Sequence, residues 1–139
     1  MEYATFVGLG VVALAVAAVC ARRESVRRRF TVSMAGRIPL NEADFASFFP
    51  GAEESAIAVR QAVATAVPGD GRLMRPLDRI VKDLMADAMD GLNTNEIIAK
   101  LERRFSIRIP EARASEVRTV QELVNLVQSL RDGALMVTS

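Results

Sequence analysis

The sequence contains no histidine and a single cysteine, Cys20. One cysteine excludes a disulfide within the chain, and the two shortages together exclude metal sites rich in histidine or cysteine. The missing imidazole also removes the side chain that most often serves as a general base near neutral pH. No serine or cysteine has a histidine partner, and no glycine-rich phosphate loop follows a strand. No alternating strand pair and no internal repeat is visible. Asp83, Asp87 and Asp90 fall on the polar side of one helical pattern, without the glycine turn and terminal glutamate of a calcium loop. They read as a solvated face. Neither sign of charge dominates, the formal net charge being +1. From Asn41 onward acids slightly outnumber bases, which is not the basic body of a nucleic-acid binder. The expectation is a protein that is not an enzyme and carries no cofactor, no metal and no nucleic acid.

What is present begins with an apolar run. Tyr3 to Ala21 is nineteen residues without a charge. At a helical rise of 1.5 Å per residue it would span roughly 28 Å, close to the hydrocarbon thickness of a bilayer. A cleaved signal peptide would carry a basic segment before the run, and only Met1 and Glu2 precede it. A lipid-modified Cys20 is disfavoured because Val19 is a poor match to the small residue expected before it. Arg22, Arg23, Arg27, Arg28 and Arg29 all follow the run. The positive-inside rule then predicts a single-pass membrane protein with its N-terminus outside and its domain cytoplasmic. The arginines read as a stop-transfer flank, compatible with a patch for anionic membrane lipid.

After a transmembrane anchor over 1–21, Glu24 to Leu40 reads as part of a basic linker, 22–40, punctuated by Gly36 and Pro39. A helical domain over 41–133 and a loose tail over 134–139 follow. Asn41 is a cap for a short helix through Phe49, with Phe45, Phe48 and Phe49 on one side. Pro50-Gly51 interrupts it. Ala52 to Val67 carries Ala56, Val59, Val63 and Val67 on one stripe. Pro76 suits a first helical turn, and Leu77, Ile80, Val81, Leu84, Met85 and Ala88 follow at helical spacing until Gly91. Asn93 with Glu96 resembles a capping box, and Ile97, Ile98, Leu101 and Phe105 form the buried face of that helix. Ile107-Arg108-Ile109-Pro110 is an extended connector, and Glu111 to Val117 holds a turn or two. Thr119 with Glu122 caps a last helix, Val120 to Leu130, closing near Gly133. The fold class predicted is all-α, a bundle of four to five helices.

Leu101-Glu102-Arg103-Arg104-Phe105-Ser106-Ile107-Arg108-Ile109-Pro110, followed by Val117-Arg118-Thr119-Val120-Gln121-Glu122-Leu123-Val124, resembles the second half of an acyl carrier protein. Leu77-Asp78-Arg79-Ile80-Val81-Lys82-Asp83-Leu84 resembles the loop that precedes that family's modification site. The likeness covers Ala52 to Leu130. It implies the family's helical fold and a serine, in an Asp-Ser-Leu motif, that holds a phosphopantetheine arm and its acyl thioesters. This sequence departs from the family there. Counting back from Phe105 places Gly91 at the serine position, within Asp90-Gly91-Leu92. Matching Val81 to Leu84 places Ala88 there, within Asp87-Ala88-Met89-Asp90, with about three extra residues before Asn95. Neither residue has a hydroxyl. Ser55, in Glu53-Glu54-Ser55, is the other candidate, and as a first-helix residue upstream of the wrong elements it is expected to face solvent. The family's second long helix is acidic, whereas here Lys100, Arg103 and Arg104 stand against Glu96 and Glu102, which reads first as helix-end charge on a solvated face.

Three functions follow as expectations. The first is a protein-binding or scaffold module that has lost its arm. An unidentified protein partner would meet Asp90, Gly91, Leu92, Ile97, Ile98, Arg103 and Arg104, and the groove between helices would receive a partner helix or a lipid tail. The second is an acyl carrier serving lipid or secondary-metabolite synthesis at the membrane. The third is a structural subunit of a membrane complex.

Overall fold

The computed structural model describes residues 2–86 and 93–138. Among these the chain is helical, with one isolated bridge between Arg79 and Thr119 in place of any strand. The helices are α1 (Glu2–Ser33), α2 (Glu42–Ala46), α3 (Glu53–Ala64), α4 (Asn93–Phe105), α5 (Glu111–Ala114) and α6 (Val120–Thr138), with a short 3₁₀ turn at Gly71–Leu73. The all-α expectation holds.

Helix α1 corrects the expected basic linker. It continues without a break from the apolar run through the arginines to Ser33. Val26, Phe30 and Met34, spaced four apart, are buried in the body, and the residues before Val26 whose burial is described are exposed. The Phe30 ring fills the space beside Gly69, where an added Cβ would lie 2.5 Å from the ring. Gly36, at φ +86°, then turns the chain, a conformation glycine adopts without steric cost.

Helix α3 is the centre of the body and packs against α2, α4 and α6. Its Ala56, Val59 and Val63 meet Ile97 and Leu101 of α4 and Leu123, Val124 and Val127 of α6 in one buried cluster. Phe45 and Phe49 close one end, their ring centroids 5.5 Å apart. Phe48, expected beside them, is 54 % exposed, because α2 stops at Ala46 and a turn carries Phe48 outward. Asn41 caps α2, its side-chain oxygen accepting from the Asp44 N–H at 2.8 Å. Thr119 likewise accepts from the Glu122 N–H at 3.1 Å, and the Glu122 carboxylate reaches back to the Arg118 N–H. These side chains satisfy amide donors that a helix start leaves open.

Three further expectations are corrected. Pro76 to Ala86 is a series of turns, not a helix. The segment instead pairs with the chain leading into α6, through Gln121 N–H to Pro76 O (2.8 Å), Val120 N–H to Asp78 O (3.0 Å) and Ile80 N–H to Arg118 O (2.8 Å). Those bonds replace the local ladder, burying Ile80, Leu84 and Ala86 and leaving Leu77 74 % exposed. Second, α6 does not end at Gly133 but runs to Thr138. Gly133 lies on an open face, where its helix penalty is about 1 kcal/mol, and Ala134, Leu135 and Met136 beyond it favour continuation. Third, Ser55 is fully buried. Its hydroxyl donates to Gln128 Oε1 at 2.8 Å and accepts from Arg131 at 3.0 Å, so it is a structural hydroxyl tying α3 to α6.

Candidate functional site

The loop from Arg75 to Ala86 owes its shape to one buried carboxylate. Asp78 is 6 % exposed. It accepts from the Arg75 N–H at 2.8 Å and from the Arg37 guanidinium through both oxygens, one of them at 2.9 Å. A buried carboxylate is tolerated when paired and hydrogen-bonded in this way. The same contact holds the Arg37 guanidinium above its ordinary pKa, chiefly through the hydrogen bond to Asp78. A second clamp lies farther along. Asp83 accepts from the Arg79 side chain at 3.1 Å and from the Arg79 N–H at 2.8 Å, which together hold its carboxyl below the usual carboxylate range.

Between this loop, α4 and the connector before α6 lies a groove of about 550 Å³. Ile80, Ile97 and Leu123 form its floor, Val81, Ile98 and Val117 its walls, and Arg79, Lys82 and Arg118 its basic rim. Thr94 and Ser115 add two hydroxyls, of which the Ser115 hydroxyl donates to Ala112 O. Among the described residues the lining holds no acid–base pair suited to turnover. Apolar walls with a few polar groups suit the binding of an apolar chain or helix face.

Of the residues singled out from sequence, Ile97 and Ile98 line this groove. Arg103 and Arg104 do not. They stand at the far end of α4, where Arg104 leans toward α3, donating to Gln61 Oε1 at 2.8 Å and lying 5.8 Å from the Phe105 ring centroid. Lys100 also faces α3, bonding Thr65 at 2.8 Å. Two of the three cations of α4 are therefore engaged within the body. Phe105 is half-buried beneath Arg131, whose guanidinium lies 4.1 Å from the ring centroid. Ala88, Asp90, Gly91 and Leu92 lie outside the described residues. The groove draws its walls from both sides of that stretch, Arg79 to Lys82 before it and Thr94 onward after it. Lys82, Val117 and Arg118 were not singled out from sequence. Arg118 is held there by the pairing of its carbonyl with the Ile80 N–H, a non-local bond that local spacing does not signal.

No family model matches the chain. Individual proteins do. The chain is 31 % identical over 72 residues to the acyl carrier protein of Helicobacter hepaticus, a match covering 52 % of this chain and 91 % of that protein. It is 29 % identical over 72 residues to the acyl carrier protein of Campylobacter concisus, covering 52 % and 90 %. A match to the acyl carrier protein of Campylobacter jejuni subsp. doylei is 29 % identical over 73 residues and covers 52 % and 91 %. A helical body around α3, α4 and α6, with a loop between α3 and α4 held to the α6 start, and near-complete coverage of these relatives by half the chain agree with one another. The chain belongs to the acyl carrier protein family.

Proposed function

We propose that this protein is a membrane-tethered member of the family without a phosphopantetheine attachment site, acting as a protein-binding module on the cytoplasmic face. The observation that carries the reading is in the sequence. Asp87-Ala88-Met89-Asp90 and Asp90-Gly91-Leu92 both lack the hydroxyl that the arm requires. The apolar groove, lined by residues that precede and follow that stretch in the sequence, supports a binding role, and its basic rim favours a partner with an acidic border. For the tether, α1 is long enough to cross a membrane, and its apolar N-terminal part holds an 18-residue stretch with a mean hydropathy of 1.8. All five arginines on its C-terminal side favour the cytoplasmic placement of the body.

The second reading, a working acyl carrier at the membrane, is favoured by the names of the relatives, each an acyl carrier protein matched over about nine-tenths of its length. One measurement separates the two. Incubation of the purified protein with a phosphopantetheinyl transferase and coenzyme A is expected to leave its intact mass unchanged. A gain equal to one phosphopantetheine group would replace the binding-module reading with the carrier.

A further inference from the structure

The arginines that follow the apolar run do not lie on a flexible tether. They ride on the same continuous helix that enters the body's core, because α1 is unbroken to Ser33 and buries Val26 and Phe30. Val26, the first buried position, lies five helical steps after Ala21, the end of the apolar run. At 1.5 Å per residue that is about 7.5 Å. The polar headgroup layer of one leaflet is of similar depth, about 5–8 Å. The body therefore begins where the headgroups end.

Arg22 and Arg23 lie within that interval, and Arg27, Arg28 and Arg29 follow Val26 within about the next 4.5 Å, against one acid, Glu24. Helical side chains lean toward the N-terminus, back toward the headgroups. All five are exposed. Of these five, only Arg28 has an ion pair among the described residues, with Glu24 at 3.2 Å. At 3.6 residues per turn, Arg22 and Arg29 border one side of the Val26–Phe30 stripe and Arg23 and Arg27 the other, while Arg28 falls on the far side. Four unpaired guanidinium groups thus flank the seam between helix and body. Guanidinium forks match phosphate oxygens in shape and charge.

We propose that α1 clamps the folded body against the bilayer, and that Arg22, Arg23, Arg27 and Arg29 form a seat for the phosphates of anionic lipids between span and body. The inference rests on the reading that α1 crosses the membrane. The full chain, reconstituted in nanodiscs containing phosphatidylglycerol or phosphatidylcholine, tests it. Spin-labelled phosphatidylglycerol should associate with the protein at least fivefold more than the phosphatidylcholine label, since each basic residue near such a surface contributes up to about fivefold. Replacing the four arginines by glutamine should abolish the preference while leaving the helical circular dichroism intact. A fluorophore on Ser129→Cys in a Cys20→Ser background should report a body that tumbles with the disc. Equal association of the two lipids, or a preference that survives the glutamine variant, would overturn the lipid seat. Fast independent tumbling of the body in a chain that co-floats with vesicles would overturn the clamp and leave the anchor standing. A chain that does not co-float would remove the anchor reading and the seat with it.

Discussion

Two side chains sit in backbone conformations that favour glycine, and they lead to opposite expectations. Ser106 has φ +51° and Met85 φ +55°. Ser106 occupies the position just after α4, where the Ile107 N–H reaches back to Glu102 O at 3.2 Å in the six-to-one bond of a helix-ending motif. A non-glycine residue there costs about 1–2 kcal/mol in local sterics, and its exposed side chain makes no compensating contact with the core. Glycine would remove that cost and give back part of it, about 0.5–1 kcal/mol, as unfolded-chain entropy. Ser106→Gly is therefore expected to stabilise the body by roughly 0.5–1 kcal/mol, seen as a melting temperature a few degrees higher. Met85 differs because its side chain packs against the core cluster. Met85→Gly exchanges steric relief for lost burial and should gain nothing. A Ser106→Gly protein that melts at or below the original temperature would contradict this account of the α4 end.

At the scale of elements, the starts of α2 and α6 were more legible than helix interiors or C-terminal ends. Asn41 and Thr119 announced α2 and α6 because a cap is a local interaction, made by one side chain with the amide three residues on. The helical period from Leu77 to Ala88 was as plain, yet from Pro76 to Ala86 the chain folds into turns, because Pro76, Asp78 and Ile80 bond to the start of α6. That pairing is non-local and leaves no trace in local spacing. In α1 the error ran the other way. The arginines masked the stripe Val26, Phe30 and Met34, and charge suggested a linker where the structure has a packed helix. This yields a direct contrast. Phe30→Ala should destabilise the body by about 3–5 kcal/mol, the usual cost of deleting a buried phenyl group, because the ring is 2 % exposed and seated on Gly69. Val32→Ala, two residues on and 74 % exposed, should be silent. Denaturant titrations of the two variants in the same detergent would measure the difference. Equal midpoints would return this stretch of α1 to the status of a tether.

For the whole molecule, the groove was half legible: Ile97 and Ile98 were chosen from the α4 period, but Lys82 and Arg118 come from segments that only the tertiary pairing brings alongside. Arg103 and Arg104 were chosen for their charge, and the fold carries them to the opposite end of α4. Under the proposed reading, the sequence left open which of Ala88 and Gly91 stands at the family's serine position, and two serine substitutions address it. Ala88→Ser recreates Asp-Ser-Met-Asp, continuous with Val81-Lys82-Asp83-Leu84, whose Leu84 is anchored in the core. Gly91→Ser recreates Asp-Ser-Leu at the family's distance from Phe105, two residues before the α4 start at Asn93. A phosphopantetheinyl transferase needs both a hydroxyl and the surrounding loop and helix in register, so one variant at most should present it correctly. The loop before the site is fastened at Asp78 and Asp83 independently of α4, and extra residues are more easily absorbed after the site than within that loop. Ala88→Ser is accordingly expected to gain the mass of one phosphopantetheine group on incubation with the enzyme and coenzyme A, and Gly91→Ser is expected to stay unmodified. The reverse result would place the extra residues before the site and make Gly91 the residue that stands at the family's serine position.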